Sequence, residues 1–424
     1  MKKEGFFSSM KPSLLTLTIG GFAIGMAEFM MMGVLPDVAS SLNISIPTAG
    51  HLISVYALGV VVGAPLLVAL AGKFPPKKVL IALMLMFTVF NGLFALAPNY
   101  GLLMIARFFA GLPHGAFFGM GAVVASKLAE PGREARAVSV MFAGLTIANI
   151  IGVPLGTYIG HNISWRISFF IIAAIAFIAA GSVKKWMPNI KISSENSFSN
   201  SLKVFAKPEP WLIIGISAIG TGGMFAWISY IAPLMTDVAG FSGNMITIIM
   251  IIAGLGMAVG NFVGGRLADR FSPLKTTGIL LISMIAVLII VALVSSFQPT
   301  AILMTFITGA IAFAVIAPMQ MLMIKAAKGS EMLASSALQA SSNMGNALGA
   351  YLGGIPIAAG FGYTAPEYVG AGLAFIGLLF CMGIAIKNRK QESLQMLPVV
   401  SEQTITTVKT IVQQKSNYEK EIHS

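Results

Sequence analysis

Twelve apolar stretches of about 20 residues recur along this chain, each long enough to cross roughly 30 Å of hydrocarbon as a helix. They cover 13–36, 48–72, 79–98, 101–125, 137–160 and 165–187, then 211–234, 244–265, 275–296, 300–324, 334–357 and 367–387. With 56% hydrophobic and 10% charged residues, the chain lies far outside soluble usage. An ionised group in hydrocarbon is costly, so each charge inside a run needs its own explanation. The first run is too long for a secretory signal and has no small-residue cleavage site, so it reads as an uncleaved span. A single cysteine, Cys381, excludes a disulfide framework and a cysteine metal site.

The basic residues orient the spans. Of 27 Lys and Arg, all but Arg107 and Arg166 fall at the two ends, in the central linker, or in the connections after the second, fourth, eighth and tenth runs. Cytoplasmic connections carry such an excess, which places both termini inside and requires an even number of spans. The net charge of +12 and pI near 9.8 are therefore a topology signal. They are not a nucleic-acid face, for which there is no soluble domain.

At a shift of 197 residues the chain matches itself. Leu70-Ala71-Gly72-Lys73-Phe74 lies over Leu267-Ala268-Asp269-Arg270-Phe271, and Asn149, Gly152 and Gly156 lie over Asn346, Gly349 and Gly353. Duplication of a six-span unit is the economical reading. It divides the chain into an N-terminal bundle (1–183), a polar linker (184–210), a C-terminal bundle (211–387) and a polar tail (388–424).

The segments GGFAIGMAEFMMMGVLPDVASSL, HLISVYALGVVVGAPLL, ARFFAGLPHGAFFGMGAVVASKL and GLTIANIIGVPLGTYIG resemble the bacterial drug:proton antiporter branch of the major facilitator superfamily, most of all its arabinose-efflux-permease-type members. The likeness is specific in the first half and looser, mainly LADRF, in the second. It implies an all-α polytopic fold of 12 transmembrane helices in two pseudo-symmetric six-helix bundles, with a substrate site between them. It further implies a monomer in the bacterial inner membrane, surrounded by the lipid bilayer, with a small molecule and protons as its partners. No cofactor beyond the proton gradient is expected.

Gly265-Arg266-Leu267-Ala268-Asp269-Arg270-Phe271 resembles the superfamily's loop motif, in which an Asp and Arg pair at a helix end acts as a conformational latch through Asp269, Arg270 and Gly265. The first half departs from that pattern, with Gly72 in the Asp place. Gly152, Gly156 and Gly160 recur at every fourth residue around Pro154 and resemble the family's antiporter motif. Close helix packing by small residues explains the same spacing.

Four ionisable residues lie within or near runs and away from the basic loops: Glu28, His51, Arg107 and His114. Counted from the run ends at 1.5 Å per residue, Glu28 and Arg107 sit at about 12 and 9 Å depth, so they can pair if the first and fourth spans are neighbours, as the resemblance implies. Arg107, Gly111, His114 and Phe118 share one helical face. Tyr56 joins them as a cavity candidate. A structural buried pair and a proton-coupling site both fit Glu28 and Arg107, and His114 reads equally as a cavity residue or a satisfied structural histidine. At the repeat shift Glu28, Arg107 and His114 correspond to Phe225, Met304 and Ile311, so coupling belongs to the first half. The second half offers Met224, Trp227 and Tyr230, on one face of the seventh run, for apolar contact. Asp37 and Asp237 are expected as solvated helix-end charges.

No HExxH, GxSxG or Walker sequence is present, which argues against an enzyme. The expected function is proton-coupled efflux of a sugar, drug or amphipathic metabolite by alternating access. The rivals are an importer or uniporter of a sugar- or nucleoside-like solute and, more remotely, a membrane receptor.

Overall fold

A computed structural model describes residues 12–71, 74–130, 134–190, 203–328, 330–395 and 410. The regular structure among them is helical. The first half contains α1 (Pro12–Gly33), a short α2 (Leu35–Leu42), α3 (Ile46–Ala71), α4 (Pro76–Leu96), α5 (Tyr100–Leu128), α6 (134–164) and α7 (Trp165–Trp186). After a 3-10 turn at Lys203–Ala206 follow α8 (208–238), α9 (Met245–Arg270), α10 (Pro273–Val294), α11 (298–326), α12 (Glu331–Ala358) and α13 (Ala365–Gln395).

Each of the twelve apolar runs is thus a long helix. Among the described residues ten stretches are long and apolar enough to span a membrane by composition, and one of these, Ala137–Trp186, contains α7 and most of α6. The remaining long helix, α12, is diluted by its SSALQASSN segment. Several ends differ from expectation, the first and the last among them. The first run breaks at Gly33, because Pro36 cannot continue the α1 hydrogen-bond ladder and sits instead in the first turn of α2. The last run continues past 387 to Gln395. Of the expected linker, residues 191–202 lie outside the described residues, as does the tail beyond Gln395 except Thr410.

Local chemistry sets the helix ends. Pro76, Pro208 and Pro273 occupy first turns, where a missing N–H costs nothing. Asn99 Oδ1 accepts from Leu102 N at 3.0 Å and Ser272 Oγ from Lys275 N at 3.2 Å. Asn43 closes α2 in the left-handed region at φ 54°, a conformation asparagine tolerates. Arg166 closes α4 by donating to the carbonyls of Ala95 and Ala97 at 2.8 and 2.7 Å.

Residues through Cys381 form one compact unit, and those from Met382 a second. Within the first unit both halves use one packing scheme. Gly152, Gly156 and Gly160 of α6 lie against Met26 and Met30 of α1 and Val34 just beyond it so closely that a Cβ would collide with each. Gly345 and Gly349 of α12 lie in the same way against Thr221 and Gly222 of α8, and Gly353 lies close to the Tyr230 ring. Gly59 and Gly63 of α3 abut the backbone of Phe108 and Leu112 on α5, and Gly256 and Gly260 of α9 abut that of Phe306 and Ala310 on α11. Small residues let backbones approach where lipid supplies no hydrophobic drive. Leu66, Ile105, Phe177, Ile282 and Leu293 are exposed, as lipid-facing side chains must be.

The halves meet along two seams, α3 with α12 and α6 with α9. Gly254 of α9 rests on the Asn149 carbonyl. At the end opposite the basic loops, Gly50 and Gly354 close on the Tyr230 hydroxyl, His51 lies 5.6 Å from the Tyr351 ring, and Gly243 rests on His161.

Candidate functional site

A polar cluster is buried in the first half and reaches the second through Glu28. Arg107, wholly buried on α5, spends its fork on backbone: Nε donates to Leu52 O at 3.3 Å, and Nη1 and Nη2 to Ala27 O at 3.3 and 3.4 Å. Its flat face lies 4.2 Å from the Tyr56 ring centre. Tyr56 Oη shares a hydrogen bond of 3.1 Å with His114 Nδ1. His114 meets Phe118 edge to face at 5.4 Å, and Phe118 stacks on Phe142 of α6 at 5.1 Å. The shared face of Arg107, Gly111, His114 and Phe118 therefore points inward, with Gly111 pressed against the Tyr56 carbonyl.

Glu28 is 6% exposed, and its carboxylate forms no ion pair with Arg107. The guanidinium is already held by carbonyls of α1 and α3. Glu28 Oε1 instead accepts from Asn346 Nδ2 at 3.5 Å, a bond that crosses from the first half to the second. Beside it, Phe29 and Phe313 bring the same two halves together at 6.1 Å. Asn346 Oδ1 and His114 Nε2 have no partner among the described residues. The sequence offers Asn346 only as the repeat mate of Asn149; an uncharged amide in an apolar run carries no other signal.

The second half is arranged differently from its expected single face. Trp227 is fully buried, and its Nε1 has no partner among the described residues. Met224 lines a crevice inside its own half with Thr221, Leu280, Met284 and Ile311. Tyr230 sits where α8 breaks, donates to Ala350 O at 2.7 Å and belongs to the contact at the far end of the bundle. Glu367, expected merely to begin a span, is 1% exposed in the first turn of α13, with Oε2 unpartnered.

Other expected site residues fall outside the cluster. Gly152, Gly156 and Gly160 are the α1 packing face described above, with Pro154 in the α-helical segment Val153–Ile159 between two π-helical turns, Ala148–Gly152 and Gly160–Ser164. Gly265 is open to space, and Arg270 lies 5.6 Å over Phe271. The side chain of Asp269, like Gly72 of the first-half loop, lies outside the described residues. Asp37 is not a free helix-end charge. Its Oδ1 lies 2.9 Å from His161 Nδ1, and burial lifts its carboxyl above the usual aspartate range while the His161 contact opposes that rise. His51 Nδ1 meets Tyr100 Oη at 3.3 Å, and Tyr100 donates to Thr48 O.

The Major Facilitator Superfamily model matches residues 17–332 and 215–407. AraJ of Escherichia coli (strain K12), designated a transporter, is 40% identical over 369 residues, covering 87% of this chain and 94% of its own. The inner membrane transport protein YdhP of the same strain is 39% identical, covering 89% and 96%. A chloramphenicol resistance protein of Streptomyces lividans is 30% identical, covering 86% and 94%. Among solved structures, an inward-facing bacterial homologue of the human lysosomal transporter Spinster superposes with a TM-score of 0.64 at 17% identity, covering 88% of this chain and 94% of that one. The E. coli fucose:proton symporter gives 0.62 at 17% identity, covering 87% and 97%.

Proposed function

The chain belongs to the major facilitator superfamily and is a membrane transporter rather than an enzyme, and from that premise we propose that it exports a small organic solute in exchange for protons, by alternating access. The observation that carries this reading is Glu28, a carboxyl buried in the interior whose hydrogen-bond partner belongs to the other half. A group whose solvation depends on how the halves meet binds its proton differently in the two arrangements. Arg107, Tyr56, His114, Phe118 and Trp227 supply the surrounding wall.

Export rather than uptake is supported by the glycine pattern around Pro154 and by the relative named for chloramphenicol resistance. The distribution of basic residues puts both termini in the cytoplasm. The protein works as a monomer without a bound cofactor, and Asp269, Arg270 and Gly265 form the latch at the end of α9.

The test is transport by the purified chain in proteoliposomes under an imposed pH gradient, with chloramphenicol and a panel of pentoses and hexoses as probes. Uphill movement opposite to the proton gradient supports antiport; movement with it identifies an importer. Glu28→Gln should abolish uphill transport and retain exchange down a gradient, because a neutral amide imitates the protonated acid. Uphill transport by Glu28→Gln at the parent's rate overturns Glu28 as the coupling group.

A further inference from the structure

The bond between Glu28 and Asn346 has features that proton carriage alone does not require. It joins α1 of the first half to α12 of the second, and both residues are almost completely buried, Asn346 at 1% exposure. The amide nitrogen faces the carboxyl while the amide oxygen has no donor among the described residues. A primary amide is the side chain suited to such a place, because it offers donors and an acceptor on one planar group. Its N–H donates to an ionised carboxylate. Turned about its last torsion, its unpartnered Oδ1 accepts from the O–H of a protonated one.

The repeat provides an internal comparison. Asn149 stands 197 residues before Asn346 and also lies at a seam, where its carbonyl meets Gly254, and its Nδ2 is likewise unpartnered. At the same shift Glu28 corresponds to Phe225, so Asn149 has no acid in the corresponding place. The molecule thus keeps two equivalent asparagines at its two seams and gives an acid to one.

We infer that Asn346 is the positioning residue through which the second half reads the protonation state of Glu28, tying α12 to α1 by one hydrogen bond when the acid is ionised and by a reversed one when it is neutral. This rests on Glu28 being the proton-carrying group. The other ionisable groups near Glu28 are Arg107 on α5 and Tyr56 on α3, with His114 of α5 bonded to Tyr56. On the second half, Tyr230 of α8 is held by Ala350 O, and Tyr351 of α12 lies against His51 at the far end. None of these bridges the carboxyl to the second half.

The proton itself is the probe. The full chain in a Cys381→Ser background carries spin labels at Asn162 and Phe361, which are exposed on opposite halves at the end away from the basic loops. The inter-label distance is measured from pH 5 to 9. The parent should switch between two distances with a defined midpoint, and Glu28→Gln should not switch. Asn346→Leu should move the midpoint to higher pH by about one unit, a tenfold change in proton affinity, because of the two bonds it removes the one to the ionised acid is the stronger. Asn346→Gln should restore most of it, and Asn149→Leu should leave the midpoint in place. Thermal unfolding in the same detergent checks each fold, with Asn346→Ala standing in if the leucine variant does not insert. An Asn346→Leu midpoint equal to the parent's, beside a silent Glu28→Gln, overturns the role of Asn346 alone. An equal shift from Asn149→Leu does the same. A Glu28→Gln protein that still switches, or a parent that never does, overturns the underlying reading of Glu28.

Discussion

The Arg107 guanidinium carbon lies 4.2 Å from the centre of the Tyr56 ring while its nitrogens are bonded to carbonyls of Ala27 and Leu52, so one side chain binds α1, α3 and α5 together. A cation held this way ties three helices of the first half together. Arg107→Ala should therefore cost about 3 kcal/mol of stability, because two buried carbonyls lose their donors as a charge is removed. Arg107→Lys should recover less than half, since a compact ammonium lacks the fork and the stacking plane. Unfolding in mixed detergent micelles measures both. Parent-like stability in Arg107→Ala would confine the residue to transport.

Tyr56→Phe keeps the ring under Arg107 and removes only the hydroxyl that meets His114 Nδ1. The histidine is then left with no partner on either ring nitrogen, and stability should fall by roughly 1–2 kcal/mol. Replacing both residues, Tyr56→Phe with His114→Leu, should cost less than the sum of the single changes, which a double-mutant cycle reads directly. Strict additivity would show that the two residues do not act as a pair.

Arg166 is the other arginine remote from the basic loops, and its bonds to Ala95 O and Ala97 O give it a purely architectural duty at the end of α4. Arg166→Ala should lower stability by about 1–3 kcal/mol and leave the pH profile of transport unchanged. Arg166→Lys retains a cation at a helix C-terminus and should fall between the two. A shifted pH profile in Arg166→Ala would contradict this assignment.

For Asp37 the sign follows from burial, which lifts its carboxyl despite His161. The charged form is then the costly one in the folded protein. Stability from the neutral carboxyl is fully present below the ordinary aspartate range and is lost as pH rises through the folded titration. Asp37→Asn does not titrate and keeps an acceptor for His161. Its melting temperature relative to the parent should rise between pH 3 and pH 7; a gap that stays constant with pH would refute the assignment.

How much of this was legible in the sequence depends on what kind of signal each residue leaves. Arg107 and His114 stand out because a charge or an imidazole in an apolar run is costly, and both proved buried and inward-facing. The helices were legible for the same reason, since length and hydropathy alone mark a span. The partner of Glu28 was not, because shared depth suggested Arg107 and cannot show that a guanidinium is already occupied by carbonyls. Asn346 and Asn149 are neutral and small, so nothing but the repeat singled them out. Asp37 and His161 are 124 residues apart, and their meeting depends on how α2 folds over the end of α6. The regular face expected for Met224, Trp227 and Tyr230 was interrupted by the break in α8 at Tyr230.

The two π-helical turns of α6 have a consequence for how that helix tolerates a change of length. A π turn holds one residue more than an α turn, closing its hydrogen bonds five residues apart instead of four. The turn Ala148–Gly152 therefore contains a residue that the helix can lose while the segments before and after it keep their phase. Removing one residue elsewhere in a membrane helix rotates everything beyond it by about 100° and misaligns every contact. Deleting Ile151, which is 58% exposed, should instead turn the bulge into ordinary helix, with the glycine face still set against Met26 and Met30.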